Sequence, residues 1–371
     1  MACMIPPPSA AAHQGYLNRR YFQTLDGLRG ISILAVIWHH AGEHEGILAK
    51  GYLGVDLFFA ISGLLITSLL LREQGRTGTV SLGGFYLRRT LRIFPLYYAV
   101  VVLYVVLVGF LERGTPAGAG FFANLPAFLT YTSNWFVDLS AGNRVIFYFA
   151  WSLATEEQFY LLWPSVVRYA RAWFLPPLFM AGLLVLGEAS RWGVGAGLLD
   201  RGLLSIRVLT SVATPICLGC LAAYVLHRPA GFRVAWRLAG QRWSAPLAAG
   251  LLLVTLAVDG MPEGLVALAM TALVVTCCIR PDHLLRLPLE HRFLCHVGTV
   301  SYGIYLIHML ALNASRRLMP DSGSLVRFAL ASLLAILVAT ASHRWFERPI
   351  MELKERLARR PTREAPPGAT A

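Results

Sequence analysis

The chain has 371 residues, of which 33 are Lys or Arg and 20 are Asp or Glu, so its formal net charge is +13. Charged residues make up only 14% of the chain and hydrophobic residues 56%, whereas a soluble domain is about 25% charged. This composition excludes a soluble enzyme, a disordered protein and a nucleic-acid-binding protein. The basic residues lie between long apolar runs, and in a membrane protein that arrangement reports orientation and headgroup contact.

Eleven apolar runs approach the length of about 20 residues that a membrane-spanning helix needs. In chain order they cover residues 26–43, 52–71, 95–112, 121–137, 152–170, 172–190, 205–226, 245–259, 263–279, 293–315 and 325–346. The fourth run is the weakest candidate, because it is short and is broken by Asn124 and Pro126.

Basic residues cluster in the connections after the second, seventh and ninth runs and near both chain ends, which predicts that both termini are cytoplasmic. Two cytoplasmic termini require an even number of crossings, so we expect residues 121–137 to form an interfacial or re-entrant segment. The predicted fold is an all-α integral membrane protein with about ten transmembrane helices.

The chain divides into a cytoplasmic N-terminal tail (1–21), a transmembrane domain (22–350) and a basic, disordered cytoplasmic tail (351–371). Residues 1–20 lack the apolar stretch of a signal peptide. We therefore expect a multi-pass protein of the bacterial inner membrane.

The first predicted helix carries Arg29 and His40, which lie eleven residues apart. At 100° per residue they share one helix face and lie roughly 16 Å apart along the axis. The predicted orientation places Arg29 near the cytoplasm and His40 near the outer face. This stripe indicates a functional site, although snorkelling of Arg29 and interfacial packing of His40 would give the same pattern. We expect the adjacent His39 to be structural.

Further charged side chains lie near the start of the second run and in the connection after it. Asp56 either stabilises the N-terminus of its helix or orients His40. Arg88 and Arg92 share a helix face, and together with Arg89 they would hold an anionic headgroup or a polyphosphate ligand. A positive flank that only sets membrane orientation gives the same cluster.

Two adjacent carboxylates, Glu156 and Glu157, lie near the start of an apolar helix, where burial is costly unless the groups have a use. The predicted topology places both near the outer face. Glu156 shares a helix face with Tyr160. We therefore interpret this segment as part of a site.

Ser301, Tyr305 and His308 fall on one side of a later helix, which indicates either a site or an interhelical hydrogen-bonding face. Cys217 and Cys220 form a C-x-x-C pair, but no second pair completes a metal set. We expect these cysteines to be buried small side chains, and we predict no metal site.

In this order the segments resemble the acyltransferase-3 family of integral membrane O-acyltransferases, over residues 22–350. The resemblance rests on Leu25-Asp26-Gly27-Leu28-Arg29-Gly30, on Arg29 and His40 with ten residues between them, on Gly54-Val55-Asp56-Leu57-Phe58-Phe59, on Arg88-Arg89 with Arg92-Ile93 and Pro95, on Trp151-Ser152-Leu153 with Glu156-Glu157-Gln158-Phe159-Tyr160, on Ser301-Tyr302 to His308, and on Glu347-Arg348-Pro349. Some relatives carry a fused extracellular hydrolase-like domain that passes on the acyl group. This chain lacks one, so we expect its membrane domain to handle the acceptor.

The resemblance implies transfer of an acyl group, often acetyl, from acyl-CoA to a hydroxyl of a carbohydrate or cell-envelope glycan. His40 would act as general base on the acceptor hydroxyl or would carry the acyl group transiently. Glu156 would orient or polarise the imidazole or the acceptor. Arg29 would hold the donor phosphates or the thioester region.

The remaining roles follow from the same resemblance. Arg88, Arg89 and Arg92 would bind the coenzyme. The supporting or substrate-contacting residues would be Asp56, Ser62, Glu157, Tyr160, Tyr305 and His308. The expected partners are the lipid bilayer, acyl-CoA, a hydroxyl acceptor and glycan-assembly proteins, with no nucleic acid.

Two other functions stay open at this point. One is an acyltransferase that modifies a small molecule such as a macrolide. The other is a non-catalytic transporter in which Arg29, His40, Glu156 and His308 line a substrate or proton path.

Overall fold

A computed structural model of the protein describes residues 8–19, 21–42, 44–138, 144–192, 204, 208 and 211–352. Within these residues every regular element is helical, which confirms the predicted all-α class. The segment 353–371, which includes most of the predicted C-terminal tail, lies outside the described residues.

Sixteen α-helices are described, together with a 3₁₀ segment (Gly46–Leu53) before α3 and a π-helical turn (His343–Glu347) after α16. The α-helices are α1 (Pro8–Asn18), α2 (Gln23–Ala41), α3 (Gly54–Thr77), α4 (Leu82–Leu111), α5 (Pro116–Leu129), α6 (Ser133–Phe136), α7 (Ala150–Tyr169), α8 (Leu175–Arg191), α9 (Thr214–His227), α10 (Pro229–Ala239), α11 (Ser244–Ala257), α12 (Glu263–Ile279), α13 (Arg286–Leu289), α14 (Arg292–Thr299), α15 (Ser301–Leu318) and α16 (Ser324–Ser342).

Three helical stretches of the described chain are long and apolar enough to cross a bilayer: Gly46–Thr77, Leu82–Leu111 and Ser324–Glu352. The bent pair α14 and α15 makes a fourth if it counts as one span. The helices α9, α11 and α12 are apolar but shorter. These helices are typical of a membrane protein, while the number of about ten crossings stays a prediction.

The helix α4 begins much earlier than the apolar run that predicts it. Its first residue is Leu82 instead of a residue near 95, because the Ser81 hydroxyl caps the helix by accepting a hydrogen bond from the Gly84 amide at 3.3 Å. Arg88, Arg89 and Arg92 therefore lie within the helix and have fixed relative directions. The sequence predicts the shared face of Arg88 and Arg92, but the apolar run that predicts this helix begins only after them.

Two other segments refine the predicted spans. Residues 121–137 fall on α5 and α6, which have 14 and 4 residues and are shorter than a spanning helix needs. The run 293–315, predicted as one span, is broken into α14 and α15 with an 80° bend. At the break a β-carbon on Gly298 would lie 1.8 Å from the Asp26 carbonyl oxygen, so only glycine permits this approach of α14 to α2.

The N-terminal segment is more ordered than the sequence predicts. Instead of a polar tail, residues 8–18 form α1, which packs on α10 and α12. Its Tyr16 is buried, and the His13 imidazole Nε2 lies 3.2 Å from the Leu226 carbonyl. These contacts stabilise α1 through long-range packing, which local apolar periodicity does not reveal.

The centre of the fold is the crossing of α3 with α9. A β-carbon on Gly63 would lie 2.3 Å from the Ile216 carbonyl oxygen, and one on Gly219 would lie 2.4 Å from the Ala60 carbonyl oxygen. Small residues at such a crossing let two helix backbones approach closely. The nearby Cys217 and Cys220 are fully buried free thiols, as the sequence predicts. The crossing holds α3 in place, and α3 contributes a wall to each of the cavities described next.

Candidate active site

A small cavity of about 100 Å³, here called the central cavity, lies between α2, α3, α4, α7 and α15. The Glu156 carboxylate faces it and accepts hydrogen bonds from the hydroxyls of Ser62 and Tyr160. The two hydroxyls also contact each other, at 3.2 Å. The predicted shared face of Glu156 and Tyr160 is therefore present, and Ser62 on α3 completes the cluster.

Arginines surround the same cavity. The Arg89 guanidinium lies over the Tyr160 ring, 4.3 Å from its centroid, and this cation–π contact holds its direction. Arg29 lies opposite and forms an ion pair of 3.4 Å with Asp26. Arg92 also lines the cavity, so positive charge meets the Glu156 carboxylate in one small volume.

A larger cavity of about 850 Å³ adjoins it and is here called the arginine cavity. Its charged lining comprises Arg76, Arg88, Arg89, Arg92, Arg348, Glu73 and Glu352. Two of the five guanidiniums are paired, Arg88 with Glu73 at 3.6 Å and Arg348 with Glu352 at 2.9 Å. The excess of positive charge makes this cavity suited to an anion with several phosphates.

A third cavity, of about 610 Å³, is here called the imidazole cavity because His39, His40 and His308 line it. The His40 Nδ1 lies 2.7 Å from the Val36 carbonyl oxygen. A carbonyl only accepts, so Nδ1 carries the proton and the neutral ring keeps its lone pair on Nε2. No described residue hydrogen-bonds that Nε2.

The second imidazole, that of His308, is fully buried beside the first. The ring centroids of His40 and His308 lie 5.3 Å apart. The His308 Nδ1 donates to the Tyr305 carbonyl at 2.5 Å, and its Nε2 is buried without a partner in the described chain. His39 has a different role, because its Nδ1 donates to the Ala49 carbonyl at 2.8 Å and so ties α2 to the 3₁₀ segment.

The three cavities adjoin one another. Arg89 and Arg92 line both the arginine cavity and the central cavity. Val55, Phe59 and Tyr305 line both the central cavity and the imidazole cavity. These three side chains, here called the septum, form a wall one residue thick.

The Tyr305 side chain of the septum is held by hydrogen bonds. Its hydroxyl lies 2.5 Å from the Ser152 hydroxyl and donates to the Phe149 carbonyl at 3.1 Å. The ring therefore has a fixed position between the central and imidazole cavities.

Most of the predicted site residues line these cavities. Arg29, Ser62, Arg89, Arg92, Glu156, Glu157, Tyr160 and Tyr305 line the central cavity, and His40, Asp56, Tyr305 and His308 line the imidazole cavity. Arg88 lines the arginine cavity and neither of the other two. Arg29 and His40 face different cavities, as expected from their separation along α2.

The structure does not bring Glu156 to His40. The sequence places Glu156 near the outer face, where it would orient or polarise the imidazole or the acceptor, but Glu156 lines the central cavity and His40 does not. The reason is depth: α7 begins at Ala150, so Glu156 lies six residues, or roughly 9 Å, along the helix. A carboxylate at that depth meets Ser62 of α3 instead of the end of α2.

Several lining residues escape prediction from the sequence. All four line the imidazole cavity, but they lie at a helix end or in the four-residue helix α6: Ser133, Asn134, Arg191 and Glu263. Arg191, the last residue of α8, binds Glu188 at 2.5 Å, and its Nε lies 3.7 Å from Glu263. A charged residue at the end of a predicted span is the only signal that could have identified it.

Comparisons with known proteins place this geometry in context. The profile of the acyltransferase domain family, acyltransferase 3, matches residues 22–344. The chain is 26% identical to the peptidoglycan O-acetyltransferase OatA of Listeria monocytogenes over 365 residues, covering 90% of this chain and 56% of that protein. It is 30% identical over 361 residues to the putative peptidoglycan O-acetyltransferase YrhL of Bacillus subtilis, covering 90% of this chain and 55% of that protein.

A putative O-acetyltransferase of Staphylococcus aureus is 39% identical over 158 residues, covering 41% of this chain and 26% of that protein. The chain thus spans about half the length, or less, of these curated relatives. No solved structure matches the chain. Because the family profile covers most of the sequence, from before Arg29 to the end of α16, the chain belongs to the acyltransferase-3 family.

Proposed function

We propose that the chain is a membrane O-acyltransferase that moves an acyl group, in the first instance acetyl, from acyl-CoA to a hydroxyl of a cell-envelope glycan. The observation that carries this proposal is the series of three adjoining cavities, which runs from a cluster of five arginines to an imidazole with a free lone pair. The names of the relatives, two of them peptidoglycan O-acetyltransferases, support a glycan acceptor.

The arginine cavity is the proposed site of the donor phosphates. Arg88, Arg89 and Arg92 project from α4 with Arg76 and Arg348 nearby, and guanidinium groups bind phosphate bidentately. The volume of about 850 Å³ is in the range of small-molecule sites. The thioester arm would extend into the central cavity, between Arg29 and the Glu156 cluster.

The chemistry is assigned to His40. Its Nε2 lone pair takes the proton of the acceptor hydroxyl as that oxygen attacks the thioester carbonyl carbon. The new C–O bond forms, the C–S bond breaks, and the imidazolium returns the proton to the departing thiolate. A transient acyl-imidazole on the same Nε2 would use the same lone pair.

The donor must reach this imidazole, so the proposal requires the septum to open. Widening the wall of Val55, Phe59 and Tyr305 would join the central cavity to the imidazole cavity. Glu156 supports the arm on the donor side of that wall by fixing Ser62 and Tyr160.

The proposed topology follows the positive-inside pattern. We place both termini and the arginine cavity on the cytoplasmic side of the inner membrane, with about ten crossings, and the imidazole cavity toward the outer side. The domain from residue 22 to residue 350 would then carry all of the transfer machinery. Reporter fusions at Ala10 and Ala365 that both read periplasmic would contradict this arrangement.

The test of function uses the full chain reconstituted in sealed vesicles with acetyl-CoA labelled in the acetyl group. Mass spectrometry of added glycan fragments should detect a labelled ester that is lost on mild alkaline treatment. Coenzyme A should bind to the detergent-purified protein in calorimetry. If the protein neither binds coenzyme A nor labels any glycan, the proposal is wrong, and uptake of solute without ester formation would favour a transporter.

A further inference from the structure

The Asp56 side chain is notable for its lack of partners. It lies in the first turn of α3, lines the imidazole cavity and is half-buried. Among the described residues it makes no hydrogen bond and no ion pair, although Glu156 and Glu188 in neighbouring helices are both hydrogen-bonded. A carboxylate inside a membrane protein is costly unless it has a use.

The sequence suggests two roles for Asp56, and the structure shows the hydrogen bond required by neither of them. As a helix cap it would accept from a backbone amide, but it has no such bond, and the Gly54 amide donates instead to the Gly51 and Tyr52 carbonyls. As an orienting group for His40 it would hold Nδ1, but that nitrogen donates to Val36. The carboxylate therefore has its acceptor oxygens available to the cavity.

The charge around this cavity is negative. Asp56 and Glu263 line it, and the Arg191 guanidinium that also lines it is already bound by Glu188 at 2.5 Å. The His40 ring is neutral in the tautomer described above. A molecule that enters the cavity thus meets more carboxylate than cation.

Two further polar atoms support a ligand here. The hydroxyl oxygen of Ser133 and the Nε2 of His308 are both buried without a partner among the described residues, and both residues, 2% and 0% exposed, line the cavity. Buried polar atoms in folded proteins are nearly always hydrogen-bonded. These orphan atoms, with Asp56, therefore indicate a ligand that brings several hydroxyls.

The apolar part of the cavity lining also suits a sugar. Tyr52, Tyr148 and Trp151 present aromatic rings to the cavity, and aromatic side chains provide apolar surface with a polar edge. A pyranose ring has apolar C–H faces and a hydroxyl rim, so rings and carboxylate together fit it. A phosphorylated or uronic sugar fits poorly, because its charge would face Asp56 and Glu263.

We propose that Asp56 anchors an acceptor subsite by accepting hydrogen bonds from the hydroxyls of an uncharged saccharide, and that this carboxylate excludes anionic saccharides. Asp56 is then a specificity-determining residue that contacts the acceptor on the far side of the septum from the donor. This inference rests on the proposed function and names the substrate class of the same site.

The test measures binding of three tetrasaccharides to the detergent-purified full chain: neutral N-acetylglucosamine tetramer, its fully deacetylated cationic form, and the anionic form of the neutral tetramer in which the 6-hydroxymethyl groups are oxidised to carboxylates. The neutral probe should bind about tenfold more tightly than the anionic one, since a charge-assisted hydrogen bond is replaced by like-charge repulsion. The cationic probe should bind at least as well as the neutral one.

The variant Asp56→Asn keeps the shape and removes the charge. It should weaken binding of the neutral probe, and the affinity for the anionic probe should come to within about threefold of the affinity for the neutral one. The affinity for coenzyme A should not change. The matched control is Asp259→Asn, because Asp259 is exposed, pairs with Lys50 at 3.3 Å and does not line the cavity. It should change none of these values.

The outcomes separate this inference from the proposed function. Normal coenzyme A binding with no saccharide binding, or with equal or tighter binding of the anionic probe, would overturn the acceptor subsite alone. If the Asp56→Asn variant still prefers the neutral probe to the anionic one, other residues cause that preference, and the inference is also overturned. Loss of coenzyme A binding in the unmodified protein would instead count against the proposed function.

Discussion

The arginine cavity and the imidazole cavity have opposite chemistry. The arginine cavity is lined by five guanidiniums against two carboxylates, whereas the imidazole cavity has two carboxylates, one engaged guanidinium and three imidazoles. The arginine cavity suits a polyanion, and the imidazole cavity suits the transfer of a proton from an uncharged hydroxyl. In the proposed mechanism this contrast would keep the binding of a charged donor apart from the deprotonation step, because the central cavity and the septum lie between the two environments.

The largest expected effect concerns the imidazole end. His40→Ala should lower acyl transfer by about 100-fold or more, because it removes the base or nucleophile. Coenzyme A affinity, measured by calorimetry, should stay unchanged. His39→Ala is the matched control and should be milder, because His39 is committed to the Ala49 carbonyl. Equal losses from the two substitutions would refute the assignment of His40.

The second-largest effect concerns the packing of α3. Because α3 lines all three cavities, a change in its packing should disturb the arginine cavity and the imidazole cavity together. Gly63→Ala would push a β-carbon against the Ile216 carbonyl, so we expect a loss of about 1–3 kcal/mol in the free energy of unfolding. Donor and acceptor binding should weaken in parallel.

Thermal melting in detergent measures this loss of stability. The control is Gly250→Ala in α11, where a β-carbon meets nothing within 4 Å, so stability should hold or rise slightly. If the Gly63→Ala protein is stable and only donor binding or only acceptor binding is weakened, the α3–α9 crossing does not support both binding cavities.

At the arginine end, Arg92→Lys and Arg92→Gln should both weaken coenzyme A binding by about tenfold, because Lys cannot form the bidentate contact. Acceptor binding should not change. If Arg92 only sets membrane orientation, Arg92→Lys should be harmless.

The exposed Arg113 lies on the loop between α4 and α5. Arg113→Gln therefore serves as a matched loss of charge for the Arg92 variants. Unchanged coenzyme A affinity in both Arg92 variants would remove that residue from the donor site.

The smallest effect is expected at an ion pair remote from all three cavities. Hydrogen bonds from Arg280, at 2.7 Å, and then from Arg242 lower the pKa of Asp282 to about 2. A lowered folded-state pKa gives stability that is present above the unfolded value of about 3.9 and lost as the pH falls through about 2. Because Asp282 is exposed, Asp282→Asn should cost about 1 kcal/mol or less at neutral pH.

Melting curves of the Asp282→Asn variant at neutral and at acidic pH would check this dependence. The difference from the unmodified protein should shrink as the pH falls. A change in substrate binding at either end would show that this surface is coupled to the cavities after all.

Much of the fold was predictable because its signals are local. The apolar runs locate α2, α3, α11 and α12 closely, and the spacing of Arg29 and His40 on one helix is correct. The break between α14 and α15 was not predictable, because it depends on contact with α2, a segment about 270 residues away in the chain.

The residues that the sequence singles out line the cavities, but their grouping was not predictable and their roles stay predictions. The polar side chains that interrupt apolar runs do line the cavities, since intramembrane polar groups have few other places to lie. The sequence did not show that Glu156 lines the central cavity apart from His40, because that depends on how α7 packs against α3. Arg191 and Ser133 were missed because the first lies at a helix end and the second in a four-residue helix.

The septum has a consequence for the membrane itself. Polar cavities on both sides of Val55, Phe59 and Tyr305 leave only a thin apolar layer between them, and an opening wide enough for a thioester also admits water and the protons that water conducts. If the septum opens as proposed, the electrical insulation of the bilayer at this protein would depend on how briefly Val55, Phe59 and Tyr305 part. A cell that keeps a proton gradient would tolerate such a passage only if the donor fills the gap as it opens.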